Sequence, residues 1–236
     1  GSSTSVASPR EIVLMGTSQK GTPELKVVFE SPKNEPLPNQ LQKEFFRFPT
    51  DLPDYKVVSN LYFTHRIPNP DFWREAANYY STQTESIYVR LSVVNNSSFS
   101  LEETQLEVTC KDFEGKSVHL CRADDLPDTP SMYLQPHAAS LKGFIRDAAR
   151  KLVINERGKT PVAIASLGTI LAHQTRHAEE DLVILPRGPG KYSIQVLVYS
   201  HELPMPTSVE HQLEISGPEL QISKKDLEGL ISQEDW

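Results

Sequence analysis

Two histidines in the C-terminal half have the types and spacing that most resemble a catalytic metal site. His173 and His177 lie four residues apart and are followed by three acids, of which Glu179 is the first. On a helix this spacing would place both imidazoles on one side, where they could hold zinc beside an activated water. The segment lies between two predicted strands, however, and Gln174 stands where such a motif has its glutamate. We therefore interpret it as a solvated polar loop, with a metal-dependent hydrolase as the alternative.

Thiol chemistry is the second possibility, because Cys110 and Cys121 flank a predicted hairpin and His119 precedes Cys121 by two residues. The two cysteines are out of register across that hairpin, which argues against a direct disulfide. We interpret both as small core residues. A chain with so few cysteines fits a reduced, cytoplasmic setting.

Signatures of nucleotide-dependent or serine-dependent enzymes are missing from the sequence. The glycines at 188 and 190 flank a proline and open onto a strand, whereas a phosphate loop needs free backbone N–H groups before a helix. There is no Gly-x-Ser-x-Gly elbow and no kinase signature. We predict no catalytic residue and no cofactor.

Basic residues are concentrated between Lys142 and Lys159, and Arg146, Arg150 and Lys151 are the candidates for contact with nucleic acid. Two acids interrupt the cluster, and the whole chain has 24 basic and 31 acidic residues, a net charge of -7. That charge opposes sequence-independent attraction to nucleic acid or to anionic lipid. We interpret the cluster as a solvated helix face and predict no strong direct nucleic-acid binding.

The elements that would position these residues are mostly strands. Eighteen prolines and 11 glycines divide the 236 residues into short segments, most of which alternate apolar and polar side chains. Short antiparallel strands of this kind predict a mainly β fold, an immunoglobulin-like antiparallel β-sandwich with a few short peripheral helices; a closed barrel is the alternative. The predicted strands cover residues 12–15, 24–31, 86–95, 104–111, 117–121, 162–170, 182–185, 191–200 and 209–215. The strands from 86 to 121 are predicted to form an antiparallel meander, and the strand at 191–200 to be central.

Helix signals are weaker. The best begins at Asn69, a capping residue followed by proline and early acids, and continues to Tyr80. Weaker signals lie at 39–46 and 141–150. We predict a tag or linker at 1–10, a sandwich domain at 11–220 and a helical tail at 221–236, with an extended, aromatic and proline-rich segment at about 32–68 wrapping the core. No apolar run is long enough to span a membrane.

Three parts of the chain carry a family resemblance. They are Pro23–Phe29, then Asn69–Glu75 leading into the strand that ends at Asn95, and finally Gly190–Ile194 through Leu203–Pro206. The sequence resembles the β-rich region that follows the AlbA-type DNA-binding domain in bacterial Schlafen-like proteins. In that family an Asn-x-Asp-aromatic-aromatic-Arg-Glu segment precedes a strand ending in Asn, and a Gly-x-Tyr strand ends before a Leu-Pro-x-Pro turn.

The resemblance implies a C-terminal accessory module of a larger cytoplasmic, DNA-associated bacterial protein, and it supplies no catalytic residue. Together with the residue patterns it predicts a non-catalytic β-sandwich that mediates protein–protein interaction or assembly through exposed edges or loops. The expected partners are the N-terminal domain of the parent protein, a second copy of the chain or another protein. A metal-dependent hydrolase and a direct nucleic-acid-binding module are the alternatives.

Overall fold

The computed structural model describes residues 23–56, 67–134, 151–157 and 160–233, and their fold is mainly β, as predicted. No helix within these ranges has the length and apolar composition needed to cross a bilayer. The strands are β1 (Leu25–Glu30), β2 (Gln40–Gln42), β3 (Phe45–Arg47), β4 (Ile87–Asn95), β5 (Leu101–Asp112), β6 (His119–Arg122), β7 (Leu152–Arg157), β8 (Thr160–Ile170), β9 (Thr175–His177), β10 (Leu182–Leu185), β11 (Gly190–Tyr199), β12 (Thr207–Ser216) and β13 (Glu219–Gln221). The helices are α1 (Phe72–Glu85) and α2 (Lys224–Gln233).

Two sheets face each other across one apolar core. The first has the order β1-β4-β10-β6, with β9 also paired to β4, and the second has the order β2-β12-β11-β5-β8-β7. In the first sheet, β1, β4, β10 and β6 correspond to strands A, B, E and D of an immunoglobulin sandwich. In the second sheet, β5, β11 and β12 correspond to strands C, F and G, and the assigned letters also follow the order of the strands along the chain. The strands β7 and β8 extend the second sheet beyond β5, although they follow β6 in the chain.

A tyrosine at the start of β11 supports the same assignment. Tyr192 is buried, and its hydroxyl donates a hydrogen bond of 2.6 Å to the carbonyl of Gly188 in the preceding turn. A tyrosine near the start of strand F that bonds back to the backbone at the E–F corner is characteristic of immunoglobulin-like sandwiches. The immunoglobulin-like prediction is therefore confirmed at the level of topology and of this corner.

The alternation read from the sequence matches the burial in the structure. In β4 the side chains of Ile87, Val89, Leu91 and Val93 enter the core, and β11 is central, between β12 and β5. Burying one face of each strand against the opposite sheet is the main stabilising contribution in such a sandwich.

The segment after β1 passes from one sheet to the other. Leu37, 7% exposed, fills the core between the sheets, and β2 then pairs in parallel with the end of β12. Phe45 of β3 enters the same core, whereas Phe46 packs in a second, largely aromatic cluster. That second cluster consists of residues 46–55, α1 and α2.

Three sequence predictions differ from the structure. Residues 39–46, predicted as a weak helix, contain β2 and β3, because pairing with β12 and β13 outweighs their local helix preference. The strands β4, β5 and β6 do not form a meander: β4 and β5 lie in different sheets, and after one bridge between Lys111 and Ser117, β6 joins the sheet of β4 by pairing with β10. The helix predicted from Asn69 begins at Phe72, and Asn69 lies in the turn before it, where its Oδ1 accepts from the backbone N–H of Asp71 at 3.1 Å. The predicted strand at 12–15 and helix at 141–150 lie outside the described residues.

Candidate functional site

The candidate metal ligands are not brought together. His173 lies in the turn after β8 with a left-handed φ of 58°, whereas His177 ends β9. Glu179 is exposed, with its carboxylate 3.8 Å from the guanidinium of Arg176. Within the described ranges, no three His, Cys, Asp or Glu side chains are grouped so that they could hold a metal ion. The loop interpretation was wrong for His177, because its segment adds a short strand to β4.

The two acids after Glu179 have structural contacts. Both carboxylate oxygens of Asp181 accept from Arg90, at 2.8 and 3.1 Å, and these bonds raise the pKa of the Arg90 guanidinium. Glu180 accepts from the backbone N–H groups of Lys151 and Leu152, at 3.1 and 3.3 Å. These acids therefore fix the ends of strands.

His177 instead joins a serine and a glutamate on the outer face of the first sheet. Its Nδ1 lies 2.7 Å from Ser92 Oγ and 3.4 Å from Glu30 Oε2, and the Ser92 hydroxyl donates to that same Glu30 oxygen at 2.7 Å. These are the residue types of a hydrolytic triad, and sequence reasoning missed the group because its members come from three different strands.

The geometry of this group does not fit nucleophilic attack. In a triad the histidine bonds the serine with one ring nitrogen and the acid with the other, so that it can take the serine proton. Here Ser92 and Glu30 face the same nitrogen, and the hydroxyl proton points to the carboxylate. Ser92 is 1% exposed, which closes it to a substrate. The group is a polar ladder that ties β1, β4 and β9 together.

The cysteines also lack the properties of a nucleophile. Burial raises the pKa of the Cys110 thiol to about 12 and that of Cys121 to about 11, so both stay protonated at neutral pH. Cys121 and His119 line an open cavity of about 610 Å³ between α1 and β6. Cys121 is nevertheless buried, so its protonated thiol is a core side chain, in agreement with the sequence interpretation.

Of the candidate nucleic-acid contacts, only Lys151 is described by the structure. Its side chain is exposed at the start of β7, and its backbone is held by Glu180. Arg146 and Arg150 lie outside the described residues, so the predicted basic cluster stays a prediction.

The edges of the two sheets offer a different kind of site. At the outer edge of β1, the N–H of Leu37 donates to the carbonyl of Phe29 at 2.8 Å, and Glu30 forms a bridge with Pro36. The edge strands β2 and β6 are only three and four residues long. Short or covered edges of this kind present few free backbone groups to another chain.

The outer edge of β12 is long and open. The strand β2 pairs with Glu214, Ile215 and Ser216 only, and no strand among the described residues pairs with the stretch from Thr207 to Leu213 on that side. The N–H of Glu214 donates outward to Asn39 at 2.8 Å. Because backbone groups alternate in direction along a strand, Ser208, Glu210 and Gln212 direct their N–H and C=O groups to the same open edge.

This edge lacks three of the features that usually discourage pairing, and its one carboxylate, Glu210, restricts which strands can pair. The stretch contains no lysine, no proline and no bulge, and it pairs regularly with β11. On its outer face, Glu210 contacts Ser193 and, at 2.5 Å, Gln212, while Glu214 contacts Gln40 at 3.3 Å. Within the described ranges no basic side chain forms a salt bridge with either glutamate, although Lys191 of β11 lies opposite Glu214 in register.

The inner side of the edge is apolar and carries one histidine. His211 faces the gap between the sheets and stacks on Phe29 of β1, with ring centroids 4.9 Å apart. Burial lowers the pKa of His211. Sequence reasoning found the alternation of β12, but alternation does not say which strands neighbour it.

Comparison with known proteins gives no family. No protein family matches the chain, and no curated protein does. Among solved structures, a family 123 glycoside hydrolase from Clostridium perfringens is 10% identical, with a TM-score of 0.34 over 84% of this chain and 28% of that one. The CooA pilin subunit from enterotoxigenic Escherichia coli is 9% identical, with a TM-score of 0.28 over 82% and 98%. The collagen-binding domain of a Staphylococcus aureus adhesin is 12% identical, with a TM-score of 0.23 over 54% and 87%. This chain is similar to these proteins only at a level that carries no argument about function.

Proposed function

We propose that this chain is a non-catalytic protein-interaction module that binds an extended segment of a partner protein beside β12. The observation that carries the proposal is the open edge from Thr207 to Leu213, which has regular geometry and backbone groups that pair with no strand in the described part of the chain. Extended segments bind by adding a strand to such an edge, where main-chain hydrogen bonds supply affinity and alternate side chains supply specificity.

The other candidate sites support the proposal by contrast. In the Ser92, His177 and Glu30 group the serine is buried and the geometry is wrong for proton transfer, and the thiols are protonated. On the resemblance to the Schlafen-like β-rich region, the proposal places the module in the cytoplasm as an accessory part of a larger, DNA-associated bacterial protein. The partner segment would then belong to that protein, to a second copy or to another protein.

The experiment is a selection of short displayed peptides on the wild-type chain, with a Gln212→Pro variant used to remove unrelated binders. Proline at 212 deletes an N–H that faces the open edge, so the pairing of β12 with β11 is kept while strand addition is blocked. Gln212→Thr is the matched control, because it retains the N–H.

We expect peptides that bind the wild type and Gln212→Thr but not Gln212→Pro, while all three proteins melt at similar temperatures. An empty selection, or peptides that bind Gln212→Pro equally well, would overturn the proposal.

A further inference from the structure

We infer that the partner segment carries a lysine or arginine opposite Glu210, between apolar residues that face the gap between the sheets. This inference rests on the proposed function and names the chemistry of the partner. It follows from the two faces of β12, which differ in charge and in burial.

The outer face of the edge is acidic at Glu210, which stands opposite the neutral Gln195 of β11. Glu210 and Glu214 are both exposed and lie on the same face, with Gln212 between them. In the described part of the chain their side-chain hydrogen bonds are to Ser193, Gln212 and Gln40, all neutral, and the nearest basic cross-strand neighbour, Lys191, lies opposite Glu214. A strand added beside β12 would place one side chain directly opposite Glu210, with Cβ atoms about 4.5–5.5 Å apart. An opposite charge is favoured at that distance and a like charge is disfavoured.

The inner face selects apolar neighbours. Thr207, Val209 and His211 alternate with the outward residues, and all three are partly buried. Val209 packs against the main core, and Phe29 covers His211 from the opposite sheet. Residues of the added strand on either side of the basic one would face this apolar gap. β-Branched residues suit such positions, because they fit a half-buried pleated surface.

A second copy of the chain satisfies these requirements poorly. If two β12 edges pair antiparallel so that Ser208, Glu210 and Gln212 all bond at once, the two-fold axis passes through Glu210. The two Glu210 carboxylates then lie directly opposite each other, and like charges in that position are destabilising. The geometry therefore favours a basic segment over self-pairing.

The test uses two fluorescent peptides, Thr-Val-Thr-Val-Lys-Val-Thr-Val-Thr and the same sequence with a central glutamate. Anisotropy titrations measure both against the wild-type chain, Glu210→Lys and Glu179→Lys. Glu179 is an exposed acid beside the other sheet, so its change alters net charge equally without touching β12.

We expect the lysine peptide to bind the wild type about threefold to tenfold more tightly than the glutamate peptide. Glu210→Lys should reverse the preference, and Glu179→Lys should retain it. Equal binding of both peptides, lost in Gln212→Pro, would overturn the inference while the proposed function stands. If neither peptide binds and the peptide selection is also empty, both fail. A wild-type dimer in light scattering that Gln212→Pro dissociates would show that the occupant is a second copy and overturn the inference.

Discussion

The edges of β1 and β12 lie on the same side of the sandwich, yet only one is covered. They meet where Phe29 stacks on His211. The chain that leaves β1 turns back and covers its edge through Leu37, whereas the same chain pairs with the backbone of β12 only at Glu214 and beyond. The difference shows that the segment that follows a strand can protect its edge. Here the segment between β1 and β2, called the crossing segment below, covers the edge of β1, whereas β2 at its end pairs only with the last residues of β12.

Substitution of Gly217, which joins β12 to β13, should have the largest effect, because it would uncover the end of β12 as well. Its φ is 139°, and a Cβ placed there would lie 1.7 Å from the carbonyl oxygen of Lys43. Gly217→Ala should push the crossing segment away from β12 and break the 2.9 Å bond from Lys43 N–H to Ser216. We expect a loss of about 2–4 kcal/mol in the free energy of unfolding, measured by urea titration.

The matched control for that change is Gly229→Ala in α2, where an added Cβ meets nothing within 4 Å. A helix interior favours alanine over glycine by about 1 kcal/mol, so this variant should be unchanged or more stable. Equal effects of the two substitutions would show that the close approach at Gly217 does not matter.

Leu37→Ala should uncover β1 and make the two edges alike. Leu37 is buried in the core, and its truncation leaves a cavity, which costs about 2–3 kcal/mol. Hydrogen exchange along β1 should accelerate more than exchange along β11. Leu171→Ala, at a side chain 52% exposed, is the control and should change stability little. Unchanged exchange in β1 would contradict the covering role.

The contact between the two edges should weaken in acid. Because burial lowers the pKa of His211 below its ordinary 6.5, the unfolded chain takes up this proton at a higher pH than the folded chain. Its contribution to stability is therefore complete above the unfolded pKa and falls as the pH drops through that value toward the folded pKa. Unfolding free energies of the wild type and His211→Phe, compared from about pH 8 to pH 5, should diverge in acid. Parallel curves would refute this.

The smallest effect on stability is expected for Gln212→Pro. Its N–H faces the open edge, so proline removes no bond to β11, and the free energy of unfolding should change by less than about 0.5 kcal/mol relative to Gln212→Thr. Thermal unfolding of the two variants measures the difference. A loss several times larger would mean that the 212 N–H already has a partner.

Sequence patterns predicted individual strands better than they predicted which strands lie side by side. Alternation locates β4, β11 and β12, since each buries one face. Sequence reasoning predicts a helix at β2 and β3, because their strand character depends on pairing with distant segments. The same limit applies to the site. The sequence offered His177 only as a candidate metal ligand in a polar loop, whereas its contacts with Ser92 and Glu30 come from register across three strands. The open edge of β12 is a relation between strands and has no signature of its own.

The parallel pairing of β2 with β12 has a consequence for synthesis. Gln40 and Glu214 are partners although they are 174 residues apart, so a large loop must close before the crossing segment can dock. Pairings of such separation form slowly, and β2 must wait until β12 has been synthesised before the two strands can pair. During that interval β1 and β4 would already be available, whereas the edge of β12 would appear later. We therefore expect the interaction surface to become competent only after β12 has been made and has paired with β11.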